Sequence, residues 1–125
     1  MAPRRLLIVD DSDDARSILA IALGTIADAT VEVAVSAEDA LARMSAETVD
    51  VLVTDVRMTG MSGFEMLDEL RKLGRWPLCG AVVVSGETDP DLRSRAIEHG
   101  ASAFFSKPFS AAEVRKSVIS LLRSS

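Results

Sequence analysis

The chain has 125 residues, 48% of them hydrophobic, and a formal net charge of -5. That is long enough for one domain with its own core and too apolar for a disordered chain. The charge excludes a general basic surface, and no long basic run offers a grip on nucleic-acid phosphates.

The first apolar run, Arg5 to Val9, follows Arg4 and is cut short by Asp10. It is too short for a signal-peptide core or a membrane span, so a cytoplasmic protein with no membrane contact is expected. Asp10, Asp11, Asp13 and Asp14 follow at once and carry four of the chain's acidic charges, so much of the acidity is local. Ser12 suits a helix N-cap, with Asp13 and Asp14 in the first turn, where the helix dipole favours negative charge. A second apolar run covers Val31 to Val35, and Ser36 leads into a helix over Ala37 to Ala46. A third run, Val51 to Thr54, ends in Asp55. Ser62-Gly63-Phe64-Glu65 matches a capping box, and Gly74 falls where a C-terminal glycine is expected. Trp76 and Pro77 fill a surface corner before the fourth run, Ala81 to Val84, which ends in Ser85-Gly86. The lone Cys79 excludes an internal disulfide and reads as a reduced, small buried hydrophobe. Asp89-Pro90 gives an N-cap with proline at the first helical position, and His99-Gly100 marks that helix's end. The last strand, Ala103 to Phe105, ends in Ser106-Lys107-Pro108, and Ser110 to Glu113 matches a second capping box.

Strand and helix patterns alternate five times. Most of the apolar runs do not alternate with polar residues, which suits strands buried on both faces of a parallel sheet. Right-handed crossovers then cover both faces with helices. The predicted fold is a three-layer, doubly wound (βα)5 α/β domain over residues 1–125, with strand order 2-1-3-4-5 as in flavodoxin-like folds. Ligands in such sheets bind outside the carboxyl ends of the strands. Asp10, Asp11, Asp55, Ser85 and Lys107 all fall at those ends. Like charges crowded there disfavour one another's ionisation, and a hard cation such as Mg²⁺ relieves this through oxygen ligands. Beside a cation, Asp55 can attack phosphorus and form an acyl phosphate, with Lys107 offsetting charge on the transferring group.

Val9-Asp10-Asp11-Ser12, Thr54-Asp55-Val56-Arg57-Met58, Val84-Ser85-Gly86 and Phe105-Ser106-Lys107-Pro108-Phe109 together resemble the receiver domain of two-component response regulators, including chemotaxis regulators. The ordered set is far more specific than any one segment. The resemblance implies a signalling phosphoacceptor that catalyses only its own phosphorylation and dephosphorylation, and is not otherwise an enzyme. It makes Asp55 the phosphoacceptor and one of the Mg²⁺ ligands, with the ion also bound directly by Asp11, through water by Asp10, and by the backbone carbonyl of Arg57. Lys107 contacts the phosphoryl group, while Ser85 and Phe104 act as the switch. The Lys107-Pro108 bond is expected to be cis. A histidine kinase or phosphotransfer protein donates the group, and output is a protein contact through the fourth helix, fifth strand and fifth helix. Only Ser124 and Ser125 follow that helix, so the chain is expected to be freestanding or a module of a larger protein.

Other functions fit less well. A receiver-like module that is never phosphorylated leaves the three aspartates and Lys107 without purpose. Aspartate-nucleophile phosphatases carry Asp-x-Asp, whereas this pair is adjacent. A flavodoxin-like carrier needs a first loop that welcomes phosphate, and Asp10 to Asp14 repel one. Two departures from the family pattern stand out. Thr59 replaces a proline, which leaves the loop after Asp55 less restricted. The switch aromatic is Phe104 rather than tyrosine, so its signal lies in position alone. Arg57 and Glu87, two residues after Asp55 and Ser85, carry opposite charges where the family tunes phosphoryl lifetime. We expect them to pair across the pocket mouth and restrict the attacking water. Arg57→Ala and Glu87→Ala should each change the decay rate of the phosphoprotein, and unchanged decay in both removes the idea.

Overall fold

The computed structural model describes residues 2–86 and 89–124. Along the chain run β1 (Arg4–Val9), α1 (Asp13–Leu23), β2 (Ala29–Ala34), α2 (Ala37–Ala46), β3 (Val51–Asp55), α3 (Gly63–Lys72), β4 (Gly80–Ser85), α4 (Leu92–Glu98), β5 (Ala103–Ser106) and α5 (Ala111–Arg123). The five strands form one parallel sheet in the order β2-β1-β3-β4-β5, as the alternation of apolar runs and helices predicts.

Side chains alternate across the sheet, so each inner strand feeds two cores. Leu7, Val9, Leu52, Ala81 and Val83 join the layer containing α2 and α3. Leu6, Ile8, Val51, Val53, Val82 and Val84 join the layer containing α1 and α5. Every residue of β3 and β4 is buried, and these are the unbroken apolar runs of the sequence. β2, at the rim, is mixed instead: Thr30 and Val33 are exposed and Ala34 is buried. Its ladder with β1 extends back to Ala29, opposite Arg4, so the strand begins two residues before its apolar run.

Serine starts four of the five helices among the described residues. Ser12, Ser36, Ser62 and Ser110 each accept from a backbone N–H three residues on. At Ser62 the capping box is complete, with the Glu65 carboxylate accepting from the Ser62 N–H. The forward bond at Ser110 is present as well. α4 differs from the sequence expectation. Asp89 is not its N-cap; its carboxylate accepts from Asp91 N at 2.9 Å, which makes a turn ahead of the helix. The cap position falls to Asp91, whose side chain makes no cap bond. At the other end, His99 Nδ1 lies 2.8 Å from Asp68 of α3, and its ring stacks on Phe64 at 4.5 Å. His99 is thus the C-cap the sequence suggests and also a clasp between two helices. Gly74 and Gly100, just past the ends of α3 and α4, have φ of 67° and 97°, a region that favours glycine.

Cys79 departs from the buried-hydrophobe reading. It is half-buried, and its sulfur accepts from Arg4 Nη2 at 2.8 Å. Met58 and Met66 are buried and Met61 packs beside them, as core residues.

Gly63 sets how closely α3 meets the end of β3. Its N–H donates to Val56 O at 2.7 Å. A Cβ at this position would lie 2.1 Å from the Asp55 carbonyl oxygen, a rigid backbone atom. Gly63→Ala should therefore lower the unfolding free energy by about 1–3 kcal/mol, seen as an earlier urea midpoint. A midpoint unchanged from wild type would show that the loop can retreat without cost.

Candidate functional site

Parallel pairing sends the strand ends to one edge. β1 leads into Asp10 and Asp11, β3 ends in Asp55, β4 ends in Ser85, and β5 leads into Lys107. Carboxylate oxygens of Asp10, Asp11 and Asp55 lie within 4.8 Å of one another. Asp10 and Asp55 are buried, whereas Asp11 is exposed.

The Lys107 ammonium joins the buried pair. Its Nζ lies 3.0 Å from Asp10 Oδ2 and 3.1 Å from Asp55 Oδ2. The backbone helps to place it: Lys107 N donates to Ser85 O at 2.7 Å, and the Lys107-Pro108 bond is cis, as the resemblance implies. Each carboxylate also has a main-chain donor. Asp55 Oδ1 accepts from Val56 N at 2.7 Å, Asp10 Oδ1 from Ser12 N at 2.9 Å, and Asp11 Oδ2 from Thr59 N at 3.2 Å.

Burial pushes the Asp55 carboxyl above its usual range, and the charge of Asp10 adds to this. Lys107 and the Val56 N–H oppose both effects without cancelling them. For Lys107, burial acts to lower the pKa. The hydrogen bond to Asp10 and the charges of Asp55 and Asp10 outweigh it, so the ammonium is held above its ordinary value. The site therefore contains a carboxylate that is costly to ionise and a lysine that stays charged. Three carboxylates nevertheless face one ammonium, and this excess of clustered oxygen donors is what a hard divalent ion prefers.

Ser85 is fully buried at the end of β4. Phe104 is buried on β5, with the Arg93 guanidinium 5.3 Å from its ring centroid. A hollow of about 420 Å³ lies beside it, bordered by Gly86, Pro90, Arg93 and Lys107, so the ring has space next to the pocket. Arg57 is exposed in the loop after β3, and its proposed partner Glu87 lies outside the described residues. Sequence reasoning missed Arg16, whose Nη1 donates to the Asp10 carbonyl at 2.6 Å and which also pairs with Asp13. A lone arginine one turn into a helix carries no signal that separates it from a solvated one.

A model of the response regulator receiver domain matches residues 6–119, and the chain belongs to that family. Among curated proteins, it is 33% identical over 118 residues to the sensor histidine kinase TmoS of Ectopseudomonas mendocina, covering 94% of this chain and 12% of that protein. It is also 33% identical over 106 residues to the C4-dicarboxylate transport transcriptional regulatory protein DctD of Rhizobium meliloti, covering 85% of this chain and 22% of that protein. The chain thus spans only a minor part of these relatives. Among solved structures, FixJ-N superposes with a TM-score of 0.83 at 33% identity, covering 99% of this chain and 96% of that one. The chemotaxis protein CheY4 of Vibrio cholerae superposes with a TM-score of 0.84 at 28% identity, covering 96% and 99%. The fold and the family expected from the strand-end motifs are therefore both met. Among the described residues, no helix is long and apolar enough to cross a membrane.

The raised Asp55 pKa has a signed consequence. The folded protein keeps this proton at pH values where the unfolded chain has lost it, so stability falls as pH rises through that window. Without divalent cation, Asp55→Asn should be more stable than wild type at neutral pH. The gap should close in acid, where wild-type Asp55 is protonated. Urea unfolding at both pH values checks this, and a gap that does not change with pH contradicts it.

Proposed function

We propose that this chain is a single receiver domain whose Asp55 accepts a phosphoryl group from a histidine kinase or phosphotransfer protein in the cytoplasm. The observation that carries the reading is Lys107 Nζ within hydrogen-bonding distance of both Asp10 and Asp55 at the sheet edge.

The exposure of each carboxylate supports a division of roles. Asp10 is 1% exposed, less than Asp55 at 8%, which suits a ligand acting through water. Asp11 is exposed and suits direct coordination, together with Asp55 and the Arg57 backbone carbonyl. Bound Mg²⁺ would neutralise charge on the transferring group's oxygens.

In the forward step, an Asp55 carboxylate oxygen attacks phosphorus. The new P–O bond gives an acyl phosphate, and the P–N bond of the donor phosphohistidine breaks. Lys107 then follows the phosphoryl oxygens, with its second partner, Asp10, still in reach. Return to the starting state is attack by water at phosphorus, which breaks the P–O bond to Asp55, restores its carboxylate and releases inorganic phosphate. The phosphoryl group brings about -1.5 to -2 charge. Ser85, at the adjacent strand end, would donate to it, and Phe104 would shift into the hollow beside it. The surface of α4, β5 and α5 would present the change to a protein partner.

Acetyl phosphate with Mg²⁺ tests the reading by mass spectrometry. Wild type should gain one phosphoryl mass, and a chelator should abolish the gain. Asp55→Asn should show none, Asp11→Asn should need far more Mg²⁺, and Lys107→Ala should react at least about tenfold more slowly. Labelling that persists in Asp55→Asn overturns the assignment. No gain in wild type would favour an interaction module that is not phosphorylated.

A further inference from the structure

The opposite end of the sheet carries a groove that the phosphoryl site does not use. It has a volume of about 760 Å³ and lies between the start of β1, the turn after α1 and the outer flank of α5. Ile26, Ile119 and Leu122 give it an apolar floor, and Arg4, Arg115 and Arg123 rim it. A second hollow of about 750 Å³ shares Arg115, Ile119 and Arg123 and continues over Lys116.

This is a concentration of positive charge in a chain of net charge -5. Arg115 is held by Thr25, its Nε donating to Thr25 Oγ1 at 2.7 Å. Among the described residues, neither Arg115, Lys116 nor Arg123 has a carboxylate within 4.0 Å. Among the described residues, Asp28 is the one acid on the rim of the groove. Arg123 sits in the last turn of α5, where a cation suits the helix dipole, yet that leaves its guanidinium open to a ligand.

The spacing defines the ligand. Arg115, Ile119 and Arg123 stand four residues apart, so they form one row along the helix in the order cation, apolar, cation. The two arginines leave the helix about 12 Å apart along its axis, with Ile119 between them. A single phosphate or carboxylate would leave that apolar side chain uncovered. A second helix bearing acid, apolar and acid at the same spacing can meet all three, with its apolar residue against Ile119. We propose that this face docks an acidic amphipathic helix of a partner protein. β1 runs about 20 Å between this groove and Asp55, so a partner could dock here with the phosphoryl pocket still open.

A fluorescent, alanine- and glutamine-based helical peptide with Glu-Ala-Ala-Ala-Leu-Ala-Ala-Ala-Glu at its centre is the probe, read by anisotropy. Wild type should bind it saturably, more tightly at low than at physiological ionic strength. Arg115→Gln with Arg123→Gln should weaken binding by about tenfold or more, and Arg123→Gln alone should weaken it in part. A peptide with Lys in place of Glu should bind the Arg115→Glu, Arg123→Glu protein and not wild type. Thermal melts and Asp55 labelling by acetyl phosphate should stay as in wild type for every variant. Absence of saturable binding, equal binding of a Gln-for-Glu peptide, or equal binding by the double variant overturns the proposal. So does an oligonucleotide of the same charge binding as tightly, or self-association that the same variants abolish.

Discussion

One ammonium group organises this molecule's functional edge. Asp10 and Asp55 come from neighbouring strands and are both buried, so they repel each other in a medium that screens poorly. Lys107 reaches both from the end of β5, across β4. Removing the lysine would leave two buried carboxylates uncompensated, the costly direction of change. The lysine therefore serves the fold as well as the chemistry. It makes tolerable an acidic pocket that a folded chain would otherwise avoid.

The arrangement places chemistry where packing is strongest. β3 and β4 are buried throughout, and their ends carry Asp55 and Ser85. α3 is pressed onto β3 at Gly63, which leaves the loop after Asp55 little freedom at its far end. Asp55 is thus held among close-packed neighbours, while Asp11 and Arg57, at the open side, are exposed. A fixed carboxylate with an accessible mouth suits the phosphoacceptor role proposed for Asp55.

Much of this was legible in the sequence, for physical reasons. Unbroken apolar runs marked β3 and β4 because burial on both faces leaves no place for polar side chains. Serine caps marked four helices because an unsatisfied N–H needs a nearby oxygen. β2 was misjudged by two residues because a rim strand mixes exposed and buried positions. The start of α4 was misjudged because Asp89-Pro90 serves a turn as readily as a cap. Contacts between distant residues left no trace. Asp10 and Lys107 are 97 positions apart, and nothing local distinguishes a direct ion pair from two groups that merely share an edge. The sulfur of Cys79 beside Arg4, 75 positions away, is the same kind of omission.

The two ends of α4 are held very differently. Its C-terminal end is clasped to α3 by the stacked ring of His99 and the bond to Asp68. Its N-terminal end has no side-chain cap, and Pro90 and Arg93 border the hollow beside Phe104. A missing cap leaves a helix end weaker by about 1 kcal/mol, which is comparable to thermal energy. The end of α4 nearer Lys107 is thus held by the buried Leu92 and the Asp89 turn, with no cap bond to break if it shifts, whereas the end at His99 cannot move without losing a hydrogen bond and a ring contact.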